Sequence, residues 1–257
     1  MDETQKNHLK SYGLAYWVLQ KEGQEVNWLL NYKGGSFMIA QDVEIENECK
    51  IRGISYEIIT ESEANSILTT ISNPEENMET VKMLTAPKIA VYSPKTKQPW
   101  DDAVTLVLTY AEIPYEVVFD DEVLEGKLPE YDWLHLHHED FTGQYGKFWW
   151  SFRNTSWYQA EVAEAEEMDT KHGYNSVREL KLAVAQKIRD FTLGGGFLFA
   201  MCSATDSYDI ALAAESTDIC GEMFDHSPAD ADCQSKLNFD NCFAFKDFTR
   251  FFAASSA

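Results

Sequence analysis

What this chain has little of narrows the field before anything it contains is read. Basic residues are scarce: 21 Lys and Arg stand against 43 Asp and Glu, a formal net charge of −22. So acidic a chain has little with which to displace counterions from a phosphate backbone, which argues against nucleic acid as a partner and disfavours anionic membranes. Long apolar runs are missing as well, and no transmembrane helix is expected. The opening MDETQKNHLK lacks the apolar core of a secretion signal. The expectation is a soluble protein, either cytoplasmic or exported with its signal already removed. Cysteines are few and scattered (Cys49, Cys202, Cys220, Cys233, Cys242), odd in number and without a C-x-x-C pair. That argues against a disulfide framework and a zinc ribbon, and leaves at least one thiol free.

What is present is globular: 44% apolar and 13% aromatic residues, enough for one large domain or two modest ones. Three segments share a grammar of amphipathic helix, break and short strand. Asn7–Glu22 breaks at Gly23 before EVNWLLN, Asp42–Arg52 stops at Gly53 before ISYEIIT, and 100–111 precedes IPYEVVFD. Such alternation predicts βαβ units and a parallel sheet. NYKGGSF reads as a hairpin or a close backbone contact. Residues 73–86 are polar, without a clear apolar face in the first half, so the boundary is set there: an N-terminal α/β region over 1–84 and a second domain over 85–257.

The second domain is more regular. KIAVYS, YEVVF and DWLHLHH are its first three strands, and Asp101 and Asp102 favour a helix start over 103–111. An aromatic and helical insertion spans about 144–175, with Phe148, Trp149, Trp150, Trp157 and Tyr158. A helix over 176–192 carries Leu180, Val184 and Ile188 on one face and ends near Gly194. GFLFAMC (196–202) reads as a fully buried central strand running into a helix over 206–216. The ending FAFKDFTRFFAASSA is densely aromatic, as though the chain continued further or paired with something at this edge. The fold class expected is an open, mostly parallel, flavodoxin-like doubly wound α/β sheet with an N-terminal α/β extension.

In such sheets ligands bind beyond the carboxyl ends of the strands. Cys202 is placed there, at a strand-to-helix turn. A helix N-terminus at that point, through the N–H groups of Ser203 and Ala204, favours a thiolate and can hold an oxyanion. The bland alternative is a small buried hydrophobe at a strand end. The run GGGFLFAMCSATDS, following the KIAVYS strand, resembles the nucleophile-elbow region of the class I glutamine amidotransferase-like superfamily over roughly residues 86–220. LNYKGGSF, SPKTKQPWDDAVTLVLTYAEIPYEVV and DWLHLHHEDFTGQYGKF resemble, over nearly the whole chain, a family common in Bacteroidota and labelled asparagine synthetase B-like. The resemblance implies a cysteine-dependent hydrolase or amidotransferase without a cofactor. Two features depart from it. Ala200 and Ala204 replace the glycines of G-x-C-x-G, and the only histidine after Cys202, His226, is not followed by the glutamate of an H-x-E pair.

HLHHED supplies another base. His135 and His137 share a strand face, with His138, Glu139 and Asp140 in the loop beyond. If the third strand neighbours the fourth, His137 or His138 can serve Cys202, with Glu139 or Asp140 orienting it. The same residues form an alternative metal-ligand set: His135, His137, His138 and Glu139. Lys95 and Lys97, with Trp100 close by, offer a place for an anionic group. A non-catalytic module that binds a small molecule or carbohydrate through the aromatic insertion is the competing reading.

Overall fold

The computed structural model describes residues 3–94, 103–144 and 149–249. It divides into two compact units, Met1–Pro87 with Asp102–Tyr115, and Lys88–Asp101 with Glu116–Ala257. No helix among the described residues is long and apolar enough to cross a membrane.

The first unit contains α1 (His8–Trp17), β1 (Val26–Leu30), β2 (Ser36–Ile39), α2 (Val43–Arg52), α3 (Glu61–Ile71), β3 (Glu79–Met83) and α4 (Ala103–Ala111). Local chemistry sets these boundaries. Asp42 caps α2 by accepting from the Glu44 N–H at 2.7 Å, and Gly53 ends it at φ 67°. Thr60 and Glu63 form a reciprocal capping box on α3. The NYKGGSF hairpin is present: Asn31, Lys33, Gly34 and Gly35 all take positive φ, and β1 pairs antiparallel with β2. Gly13 is required where α1 meets α4, because a Cβ there would sit 1.7 Å from the Ala111 carbonyl oxygen.

The parallel arrangement expected from the N-terminal alternation is not what forms. The sheet is antiparallel, ordered β2-β1-β3. ISYEIIT is not a strand: the Ser55 N–H bonds the Gln5 side chain instead of a neighbouring ladder. The missing strand is ETVKM, inside the stretch read as polar; Val81 and Met83 pair there with Trp28 and Val26. The helix over 103–111, expected in the second domain, groups with this first unit.

The second unit contains β4 (Ile89–Tyr92), β5 (Glu116–Val118), α5 (Asp120–Leu124), β6 (Trp133–Leu136), α6 (Trp149–Phe152), α7 (Ser156–His172), α8 (Val177–Leu193), β7 (Phe197–Ala200), α9 (Ser203–Ala213), α10 (Glu222–Asp225) and α11 (Cys233–Lys236). Its four strands are all parallel, ordered β5-β4-β6-β7, the order of a flavodoxin-like sheet. One face is covered by Leu180, Val184 and Ile188 of α8 and by Ala204, Tyr208, Ala211 and Leu212 of α9, against Ala90, Tyr92, Leu134 and Leu136. Full burial of each α8 aliphatic stabilises this packing by about 1.5–3 kcal/mol.

Two expectations change here. The strand after GGG is not central but lies at the edge of the described sheet. Its Leu198 and Ala200 join the core, while Phe197 and Phe199 are exposed. The helix that follows starts at Ser203, directly after Cys202. The aromatic ending is partly explained. The Asp209 carboxylate, buried on α9, accepts the N–H groups of Phe243, Ala244 and Phe245 at 2.9, 2.7 and 2.9 Å, and the Phe243 ring stacks on Tyr208.

Candidate functional site

The expected neighbourhood forms at the carboxyl edge of β6 and β7. Leu136 pairs with Ala200, so His137 and His138 continue beyond the same level as Met201 and Cys202. The loop after β6 is stitched to the first turn of α9. The Ala204 N–H donates to the His137 carbonyl at 3.3 Å, the Ser203 hydroxyl to the His138 carbonyl at 2.8 Å, and the Ser207 hydroxyl to the Glu139 carbonyl at 2.9 Å. Within the loop the His137 N–H reaches the Glu139 carboxylate at 3.0 Å, and Asp140 accepts the Thr142 N–H at 2.8 Å. Gly143 continues the turn at φ 86°, where a Cβ would lie 2.7 Å from Arg178.

Cys202 is the feature that sets this edge apart. It caps α9 with φ 53° and ψ −136°. Asn31, Lys33 and His226 also have positive φ, but their ψ values of −7°, 43° and 13° belong to the left-handed helical region. Cys202 alone of these four sits in a region that L residues rarely enter, at a cost of about 1–3 kcal/mol. Its side chain is exposed, whereas Cys49, Cys220 and Cys233 are buried and Cys242 is half-buried. This excludes the buried-hydrophobe alternative. Burial, reinforced by nearby carboxylates, pushes the Cys49 and Cys220 thiols up, and burial beside Asp209 pushes Cys242 up to about 11. Ala204, fully buried, shows why that position stays small.

The histidines are close to one another: the His137 and His138 rings lie 4.6 Å apart, and His135 is buried and stacks on Phe199 at 5.6 Å. The buried His137 Nδ1 has no hydrogen-bond partner among the described residues. Asp140 is packed inward. Burial pushes its carboxyl above the ordinary range and Asp206 adds to the effect, while the Thr142 hydrogen bonds and Lys181 oppose it. The alternative metal set gains no geometric support, since no three His, Cys, Asp or Glu side chains among the described residues are placed to hold an ion. Lys95, Lys97, Trp100, Asp101, Asp102 and Phe148 lie outside the described residues.

The sequence reading missed a second group at the same edge. Lys181 donates to both Asp120 oxygens, at 2.9 and 2.7 Å, and to the Tyr92 hydroxyl at 3.0 Å; Tyr92 in turn donates to Asp120. All three are buried: Tyr92 ends β4, Asp120 opens α5 just after β5, and Lys181 reaches them from α8. Burial and the Asp120 charge hold the Tyr92 phenol well above its ordinary value. The available signal was Lys181 itself, a charge on the apolar stripe of Val177, Val184 and Ile188. Compared with protein-family models, curated proteins and solved structures, the chain matches none of them.

Proposed function

We propose that this is a class I glutamine amidotransferase-like protein that uses Cys202 as the nucleophile of a hydrolase or amidotransferase acting on a small amide. The observation that carries the reading is the backbone of Cys202: an exposed thiol on a strained strand-to-helix turn at the carboxyl edge of a parallel sheet. Strain of this kind persists where a side chain has to be presented.

His137 is the base that fits best. Its buried Nδ1 has no hydrogen-bond partner among the described residues, and its backbone is fixed to α9. In the reaction His137 takes the thiol proton and the sulfur attacks the amide carbonyl. The tetrahedral oxyanion is held by the Ser203 N–H, the amide N–H directly after the nucleophile. The imidazolium returns its proton to the leaving amine, giving a thioester. Water, activated by the same imidazole, then releases the acid and restores the thiol.

The departures at Ala200 and Ala204, and the lack of an H-x-E pair, favour a second reading: a module that binds a small molecule or carbohydrate on the same fold without turnover. One experiment separates them. Iodoacetamide at neutral pH followed by peptide mapping is expected to label Cys202 well ahead of the other four cysteines. Ammonia release from a panel of primary amides is expected to vanish in Cys202→Ala. Fast labelling with a His137-dependent pH profile supports the enzyme. Labelling no faster than that of an unfolded-peptide thiol, with no ammonia from any amide, removes it.

A further inference from the structure

The β7 strand is the open edge of the described sheet and does not look like an edge built to face water. Natural edge strands are guarded by charge, proline, bulges or brevity. The opposite edge follows that rule: β5 has three residues, and its Glu116 is held by the Tyr131 hydroxyl at 2.7 Å. The β7 edge, as long as β4 and β6 at four residues, has no charge, proline or bulge. Between Asp190 and Asp206 lies the longest uncharged stretch of the chain, with no proline and no bulge against β6. On its outer face Phe197 is 59% exposed and Phe199 45%, flanked by Leu193 at 71% and Met201 at 39%.

We propose that this edge docks a second copy of the chain, β7 against β7 in antiparallel pairing about a two-fold axis, giving one continuous eight-stranded sheet. Three observations point to a second copy. The Phe197 and Met201 N–H groups are spent on β6, bonding the Asp132 and Leu136 carbonyls. The pleat therefore leaves the Leu198 and Ala200 N–H groups aimed outward, as a strand partner requires. A two-fold pairing also brings Phe197 and Phe199 of both copies onto one face, so the patch is complementary to itself. Finally, two molecules of charge −22 repel, and the approach that costs least is through the surface without charge. The apolar side chains offer on the order of 400 Å² per copy, roughly 800 Å² in all, which is small for a stable interface. The dimer is therefore weak and concentration-dependent.

The test is sedimentation equilibrium of the full chain from low to high micromolar concentration, paired with amide exchange. Wild type is expected to pass from monomer to dimer. Exchange at Leu198 and Ala200 is expected to slow as concentration rises, while Phe197 and Phe199 amides stay constant. Phe197→Glu, at an exposed position, is expected to weaken the dimer at least tenfold with an unchanged circular dichroism spectrum, and Phe197→Leu to keep it. A chain that is monomeric throughout with fast exchange at Leu198 and Ala200 overturns the proposal. So does a dimer whose affinity ignores Phe197→Glu and whose β7 amides show no concentration dependence.

Discussion

The two halves of one sheet edge are built on opposite terms. At the ends of β4 and β5, Tyr92, Asp120 and Lys181 are closed away from water, and their charges and hydroxyl answer one another. At the ends of β6 and β7, Cys202 is exposed on a strained backbone and a buried imidazole nitrogen stands without a partner among the described residues. The contrast teaches where to look for chemistry in this molecule. A group whose bonding is complete has nothing left to give a ligand, whereas strain and unfilled hydrogen-bonding positions persist only when surrounding structure enforces them. The first half stiffens the sheet; the second presents a thiol.

The largest expected effect breaks the closed half. Lys181→Met leaves the Asp120 carboxylate buried without its counter-charge, which costs about 3–5 kcal/mol. A double change, Lys181→Met with Asp120→Leu, removes both charges and is expected to recover most of that loss. Urea denaturation of the three proteins reads both numbers. If the single change is as mild as the double, the trio is not the tightly coupled unit its geometry describes.

How far the sequence alone reached follows the same physical lines. The second unit was legible because its strands are short apolar runs bounded by turn residues and α8 has a clean apolar stripe; β4, β5, β6 and α8 fall where the pattern puts them. Adjacency of β6 and β7, and hence of the loop after β6 and the turn into α9, followed from the flavodoxin-like order. The first unit was harder. ISYEII has more β-branched character than ETVKM, yet only ETVKM finds β1 as a partner. Strand propensity does not name the partner, and partner choice is a tertiary matter. The exposure of Phe197 and Phe199 escaped for a related reason: an apolar run reads the same whether its outer side is filled or open. The strain at Cys202 was legible only through the likeness of GGGFLFAMCSATDS to a nucleophile elbow, because the alanines beside it lack the glycine signature of that turn. Lys181 was visible as an anomaly, but its partners Tyr92 and Asp120 come from distant parts of the chain.

A smaller effect, opposite in sign, tests the open half. If Cys202 is held in a costly conformation, glycine at that position relieves it. Relief of about 1–3 kcal/mol is set against about 0.5–1 kcal/mol for the added freedom of an unfolded glycine, leaving Cys202→Gly about 1 kcal/mol more stable than wild type. Cys202→Ala keeps a Cβ and is expected to stay within about 0.5 kcal/mol of wild type. Thermal denaturation of both variants makes the comparison. A glycine variant less stable than the alanine variant shows that the turn is unstrained, and with it goes the reason for treating this edge as a built site.

The smallest effect sharpens the comparison through pH and lies on the loop between the two halves. Asp140 binds its proton more tightly in the folded chain than in the unfolded one. Burial is the main cause and Asp206 adds to it, while Thr142 and Lys181 pull the other way. A carboxyl raised on folding makes the native state favour the protonated form. Its contribution therefore improves as pH falls through the raised folded value toward the ordinary 3.8, and the cost of the buried charge is fully present above that window. Asp140→Asn keeps an oxygen to accept the Thr142 N–H and removes the charge. The variant is expected to denature at higher urea than wild type at neutral pH, with the gap closing as acid is added and gone below 3.8. Denaturation midpoints across that range decide it. A variant weaker than wild type at neutral pH, by an amount that shrinks in acid, means the Asp140 charge is favourable where it stands, through Lys181 or a cationic group of a ligand. The loop would then belong with the closed half of the edge and not with Cys202.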